Sequence, residues 1–361
     1  MALVNIAGEN EKSMGIHYEV DFDQKPIGFG GMGTVMKGVR VEEKTGVRID
    51  VAIKFLFDDL PQNAVDRARR EASIQLQNDN LVRMYGFVET HDGGVQRLHV
   101  VSELLDGIML HDFLKGSIVN HEGQSVPFFE NLYAKYCADK EKFAVFLIKN
   151  ILSGIMALHD SGFIHRDIDP SNIMLTTDGK IKLIDFGVAR KISANSSGDE
   201  HQLTTAGHFI GKANYAAPEL AIGDLQHQNA TTDIYAIGIL LYQIITGSLP
   251  FDGPMAEVLE KQIREPFPIQ NISNPGIKRI VAKSTEKKQS LRYQSAAEFR
   301  VALEQWEHEP NRPAAVQQPV YAASNEESFL DKMALVNIGV LAAVSTVVGI
   351  GLGVLAYFVI P

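Results

Sequence analysis

His165-Arg166-Asp167-Ile168-Asp169-Pro170-Ser171-Asn172 is the stretch whose reading decides the fold of this chain. Before it runs an apolar segment with helical spacing, Phe143 to His159, stopped by Ser161-Gly162. After it, Ile173-Met174-Leu175 and Ile181 to Ile184 read as short strands around the turn Thr177-Asp178-Gly179-Lys180, and the second strand ends in Asp185-Phe186-Gly187. Asp167, Asp185 and the carboxamide of Asn172 therefore fall on loops between short strands. One carboxylate can orient a hydroxyl and take its proton while the other, with the amide, holds a divalent cation, which suits phosphoryl transfer.

The rest of the chain bounds that reading. Its 361 residues suffice for one large two-lobed domain or two ordinary ones, and 45% hydrophobic with 22% charged residues is a globular composition. A net charge of -10 argues against bulk attraction to nucleic acid. Cys137 is the single cysteine, so no intramolecular disulfide forms and a reducing compartment is expected. Met1 to Gly8 is too short, and lacks the preceding basic residues, for a cleavable signal peptide. After Asp331-Lys332 the chain runs from Met333 to Pro361 without a charged residue, long enough to cross a bilayer as a helix.

In chain order, residues 1–17 show no clear pattern and are expected to be a loose arm. Their first six, Met-Ala-Leu-Val-Asn-Ile, recur at 333–338, a repeat for which we have no physical account. Tyr18 to Ile27 reads as a strand entering Gly28-Phe29-Gly30-Gly31-Met32-Gly33. That glycine pattern also fits dinucleotide-binding folds, which need a helix next. Here Thr34 to Val41 is β-branched and predicts a second strand, hence a strand-turn-strand flap whose glycines let the backbone approach phosphate oxygens. Val51-Ala52-Ile53-Lys54 predicts a third strand, and Ala64 to Gln77 a helix containing Glu71. Leu81 to Glu89 and Arg97 to Ser102 predict two more strands, followed by Glu103-Leu104-Leu105-Asp106-Gly107. Lys115 to Lys142 looks like an insertion. Glu307 to Asp331 is a polar, proline-containing linker whose coil would span roughly 25–30 Å.

Taken together these motifs resemble the protein-kinase set, over about Tyr18 to Trp306. Gly-Gly-Met-Gly-Thr-Val and Arg-Tyr-Gln-Ser-Ala-Ala-Glu look like the bacterial membrane-anchored serine/threonine kinases of eukaryotic (Hanks) type. The resemblance implies an α+β, two-lobed fold, with an N-lobe at 18–102, a hinge at 103–107 and a C-lobe at 108–306 that includes an insertion at about 115–142. The linker at 307–332 and one transmembrane helix at 333–361 follow, with the catalytic domain on the cytoplasmic side of the cell membrane. ATP and Mg²⁺, with Mn²⁺ as an alternative ion, would be the cofactors, and proteins the substrates.

By the same resemblance Asp167 is the base, Asn172 and Asp185 hold the metal, and Lys54, fixed by Glu71, clamps the phosphates. Ile27, Gly28, Phe29, Gly30, Gly31, Met32, Gly33, Thr34, Val35 and Ala52 would surround the nucleotide. Ser102 would guard the back of the pocket, the backbone of Glu103 and Leu105 would meet the adenine, and Asp106 the ribose. Asp233 would brace the catalytic loop, Arg292 would pair with Glu219, and Arg166 would hold a phosphate on Thr204 or Thr205, with Ser196 and Ser197 behind them. Gly349 and Gly353 form a small-residue face on which two spans could pair.

The pattern is broken twice. The family's catalytic-loop lysine, two residues after the base, is Asp169 here, and the threonine of its Gly-Thr pair before the docking segment is Lys212. If the chain folds like the family, Lys212 faces Asp169 and replaces the missing cation. The alternative, from a different class, is a nucleotide-binding pseudokinase serving as a membrane-tethered scaffold.

Overall fold

Alternation of apolar and polar residues builds the first lobe in the computed structural model, which describes residues 3–92, 94–120, 123–186, 189–191 and 212–308. Its strands are β1 (Leu3–Ile6), β2 (Ile16–Asp21), β3 (Gly28–Gly30), β4 (Gly33–Glu42), β5 (Val47–Leu56), β6 (Met84–Asp92) and β7 (Val95–Glu103). They form one antiparallel sheet in the order β1-β2-β4-β5-β7-β6, with β3 folded back on β4. One face buries Tyr18, Val20, Met36, Val51, Ile53, Val88 and Val101. The residues of β5 that alternate with Val51 and Ile53 point the other way, so Ala52 (opposite Ser102) and Lys54 (opposite Val35) share the second face. Helix α2 (Gln62–Ser73) buries Ala68 and Ala72 in the cluster that also takes in Leu56 and Val100.

The N-terminal residues are no loose arm. β1 pairs with β2 from Leu3↔Asp21 to Ile6↔Tyr18, and Ile6 is buried with the sheet's apolar face. Helix α1 (Glu9–Met14) follows, and buried Glu11 accepts the Gly8 N–H at 3.2 Å. The lobe therefore starts at Leu3, not at residue 18, because one buried isoleucine and a capped turn suffice to pin a strand too short to show a pattern. The second copy of the hexapeptide, most of the linker and the expected transmembrane segment lie outside the described residues.

The second lobe is helical: α3 (Leu110–Leu114), α4 (Pro127–Ala138), α5 (Lys140–Asp160), α6 (Ala230–Thr246), α7 (Met255–Arg264), α8 (Pro275–Ser284) and α9 (Ala296–His308). Among the described residues α5 is the one helix long and apolar enough to cross a membrane. Its Leu147, Ile151, Leu152 and Leu158 are fully packed against α6 side chains such as Ile237 and Leu241 in the main core, which accounts for that composition. The stretch 115–142, expected as an insertion, packs into the lobe: α4 contributes Phe129 and Tyr136 to the same core and runs into α5 through Asp139, whose side chain accepts the Lys142 N–H at 3.0 Å.

Short strands line the junction between the lobes: β8 (Gly107–Met109), β9 (Phe163–Ile164), β10 (Ile173–Thr176), β11 (Ile181–Leu183) and β12 (Arg190–Lys191). β8, β10 and β11 form one small sheet and β9 pairs with β12. Gly107 is needed where β8 meets β10, since a Cβ there would lie 2.3 Å from the Leu175 carbonyl oxygen.

Candidate active site

The loop after β9 is held from beneath by one carboxylate. Asp233, in the first turn of α6, accepts the N–H groups of His165 at 2.9 Å and Arg166 at 2.8 Å, and meets His159 Nε2 at 2.8 Å. Burial alone would raise its pKa, but the His159 ring and the His165 side outweigh it and hold the carboxyl below the usual range. The bracing lets Arg166 take a φ of 69°, a left-handed conformation that non-glycine residues rarely adopt. The chain thereby turns sharply and presents Asp167 on the far side.

Asp167, Asn172 and Asp169 then converge. Asn172 Nδ2 donates to the Asp167 carboxylate at 2.9 Å, to the Asp167 carbonyl at 2.8 Å and to Asp169 Oδ2 at 3.3 Å. Burial first, then the Asp169 and Asp185 charges, push the Asp167 carboxyl up, while His165 and the Asn172 hydrogen bond pull it down. Since the amide nitrogen of Asn172 is spent on these contacts, its Oδ1 is the end left to meet a cation.

Lys54 comes from the sheet and Glu71 from α2. Their charged ends lie 3.8 Å apart, an ion pair too long for a hydrogen bond, and Glu71 Oε2 is buried without a hydrogen-bond partner. Burial pushes the Glu71 carboxyl up to about 7, with Lys54 opposing and Asp185 adding to the rise. Asp185 therefore stands close enough to both Glu71 and Asp167 to act on each. Crowded carboxylates beside a carboxamide oxygen fit a hard divalent cation, and Mg²⁺ uses one or two protein carboxylates together with phosphate oxygens. Asp185 and Asn172 would hold it.

The flap over this space is the β3–β4 hairpin, with Gly28↔Val35, Phe29↔Thr34 and Gly30↔Gly33 paired and Phe29 largely exposed. The Ile27 N–H bonds the Val35 carbonyl at 2.9 Å, and the Met32 carbonyl accepts the Phe57 N–H at 3.0 Å. A Cβ on Gly33 would lie 2.1 Å from the Phe55 carbonyl oxygen, whereas one on Gly31 would meet nothing within 4 Å.

At the hinge, the Glu103 N–H is committed to the Arg83 carbonyl at 2.9 Å, which leaves its carbonyl side for a ligand. Ser102 Oγ is 3.5 Å from that carbonyl. Leu105 follows in irregular backbone. Asp106, expected to face the ribose, has its carboxylate accepting from Thr177 Oγ1 at 3.2 Å and facing Asn120 Nδ2 at 3.4 Å. The sequence reading also missed Lys182, a buried lysine whose Nζ meets Glu103 at 2.6 Å and the Leu81 carbonyl at 3.1 Å. A lone lysine between Ile181 and Leu183 was the available signal.

Further out, Glu219 and Arg292 form a buried two-point pair at 2.8 and 2.9 Å. Arg166 reaches Gln228 Oε1 at 3.2 Å. Thr204 and Thr205 lie outside the described residues. Lys212 Nζ sits 2.6 Å from Asp169 Oδ1 and also touches Ser171 Oγ. A separate apolar cavity of about 540 Å³, lined by Phe128, Leu132, Phe143 and Phe146, lies between α4, α5 and the β10–β11 turn, away from these groups.

The site thus sits where a strand lobe presenting a cation, Lys54, meets a helical lobe presenting three carboxylates, Asp167, Asp169 and Asp185. Comparison with known proteins narrows this. The profile of the protein kinase domain matches residues 22–333. Serine/threonine-protein kinase PknB of Mycobacterium tuberculosis is 33% identical over 289 residues, 77% of this chain and 41% of that protein. Serine/threonine-protein kinase pkn2 of Myxococcus xanthus is 30% identical over 293 residues, 77% of this chain and 31% of that protein. The chain spans about two fifths of the length of the PknB relatives, at 41%. The chain belongs to the protein kinase family, in its bacterial, Hanks-type serine/threonine branch.

Proposed function

We propose that this chain transfers the γ-phosphate of ATP to serine and threonine hydroxyls of proteins. The observation that carries the reading is the Asp167–Asn172 hydrogen bond at 2.9 Å, which fixes the Asp167 carboxylate beside Asp185. In this reading the Asp167 carboxylate orients the acceptor hydroxyl and receives its proton, and Lys54, drawn toward Glu71, positions the α- and β-phosphates. Mg²⁺, when bound by Asn172 and Asp185, supplies charge neutralisation between the phosphates. Ile27, Val35, Ala52 and Ser102 border the nucleotide base, Gly28 to Thr34 cover the phosphates, and the Glu103 carbonyl and Leu105 backbone meet the adenine edge.

Context extends the proposal. The uncharged run Met333 to Pro361 reads as a single cytoplasmic-membrane span carrying the catalytic domain on its cytoplasmic side, with the Gly349/Gly353 face pairing two copies. Pairing would let one copy phosphorylate Thr204 or Thr205 of the other, and a phosphate there gains charge-assisted hydrogen bonds from Arg166. The pseudokinase reading draws on one observation, the extra carboxylate of Asp169 beside the base; Lys212 opposes it. Transfer of label from γ-labelled ATP to a protein acceptor by the full chain tests the proposal, and the absence of any transfer with Mg²⁺ or Mn²⁺ would favour the scaffold.

A further inference from the structure

The catalytic loop carries a carboxylate where a cation would help most. Asp169 is 1% exposed and accepts the N–H and the hydroxyl of Ser171, both at 2.7 Å. Its other oxygen faces Asn172 Nδ2 at 3.3 Å, and Asn172 in turn holds Asp167. An uncompensated negative charge at this point would oppose the build-up of charge on a transferring phosphoryl group.

Compensation comes from a different element. Lys212 enters the turn Ala213–Tyr215, and that turn is anchored on the helical lobe. Gln262 of α7 donates to the Asn214 carbonyl at 2.8 Å, Asn214 Nδ2 donates to the Phe251 carbonyl at 3.2 Å, and Tyr215 Oη bonds Gln243 of α6 at 2.5 Å. From this base the Lys212 side chain reaches Asp169 and Ser171 while remaining 47% exposed. Such a half-exposed ammonium, held at one end and open at the other, has donors to spare: it carries three N–H groups and two are directed at the loop.

We propose that Lys212 is the catalytic cation of this site, held by Asp169 and Ser171 and donating to the γ-phosphoryl oxygens during transfer. The inference rests on the kinase reading above. The acceptor hydroxyl oxygen bonds to the γ-phosphorus as the bond from that phosphorus to the β–γ bridging oxygen breaks; the hydroxyl proton goes to Asp167 and ADP leaves with the bonding pair. Lys212 transfers no proton. It stabilises charge on the passing phosphoryl group, from the segment that also leads to Ala217-Pro218-Glu219. The usual arrangement keeps this cation on the catalytic loop; here the substrate-side segment delivers it.

Neutralising Asp169 and contacting the phosphoryl group are separable duties. The full chain is assayed as wild type, Lys212→Thr, Lys212→Arg, Asp169→Asn, Asp169→Asn with Lys212→Thr, and Asp169→Lys with Lys212→Thr, with thermal unfolding of each as a fold control. A phosphoryl contact predicts that Lys212→Thr loses on the order of 10²–10³ in kcat with little change in KM for ATP. Lys212→Arg retains much of the rate, and only the double variant that returns a lysine to position 169 recovers it. Recovery by Asp169→Asn with Lys212→Thr would reduce Lys212 to a neutralising partner and overturn the inference. So would a Lys212→Thr chain as active as wild type. A wild-type chain that transfers no phosphate would overturn the kinase reading and this inference together.

Discussion

Lys54 and Glu71 face each other across 3.8 Å, and the glutamate end of that pair is buried with one oxygen unbonded. The pair costs the fold something to maintain in its charged form. The Glu71 carboxyl is pushed up to about 7 from 4.5, so between those values the folded chain keeps a proton that the unfolded chain releases. Stability contributed by the protonated carboxyl is therefore complete below about 4.5 and is lost as pH rises to about 7. The difference amounts to roughly 3 kcal/mol. Phosphate positioning moves the opposite way, because Lys54 needs the ionised partner.

Glu71→Gln should thus raise the melting temperature at pH 8 while leaving it near wild type at pH 4.5, and it should lower phosphotransfer at pH 8, where the wild-type carboxyl is ionised. Calorimetry at the two pH values and label transfer at pH 8 check this. Equal changes in melting temperature at both would mean that Glu71 is not held protonated by its surroundings.

Two glycines of the flap should respond differently. Gly33→Ala places a Cβ 2.1 Å from the Phe55 carbonyl and should force β4 away from β5, at a loss of a few kcal/mol by overpacking. Gly31→Ala has open space around it and should leave stability within about 0.5 kcal/mol, as surface changes usually do. Urea unfolding of both variants compares them directly; a Gly33→Ala chain as stable as Gly31→Ala would contradict the strand pairing.

The Arg292–Glu219 pair is buried on both sides, and Arg292 also donates to the carbonyls of Thr231, Glu286 and Lys287. Arg292→Ala leaves Glu219 charged and unpaired, and should cost about 3–5 kcal/mol. The effect should appear as lost soluble, folded protein and a lower urea midpoint, and a loss of unfolding free energy below about 1 kcal/mol would be the wrong magnitude for a buried ion pair.

Much of this was legible in the chain because the decisive residues sit next to backbone breakers. Gly28 to Gly33 followed by β-branched Thr34 and Val35 indicated a hairpin, and the carboxylates at 167 and 185 flank the β10–β11 hairpin that periodicity marked. The Lys212–Asp169 meeting was readable only because a lost and a gained charge were weighed against a known pattern. What stayed hidden depends on tertiary packing. β1 is four residues long and buries only Ile6, so no period could reveal it. Asp106 lies in a hinge-like run, and its contact with Thr177, 71 residues away, is a tertiary one that the run does not show. Lys182 is a buried cation whose partner, Glu103, comes from another lobe's strand.

The most direct test of the central claim is transfer of γ-label to a protein acceptor by the full chain beside Asp167→Asn, with nucleotide binding measured on both. The substitution keeps the size of the side chain and its contact with Asn172 but removes the base. Nucleotide affinity is expected to stay within about threefold of wild type while transfer falls by on the order of 10²–10⁴. An Asp167→Asn chain that transfers phosphate at the wild-type rate would contradict the account.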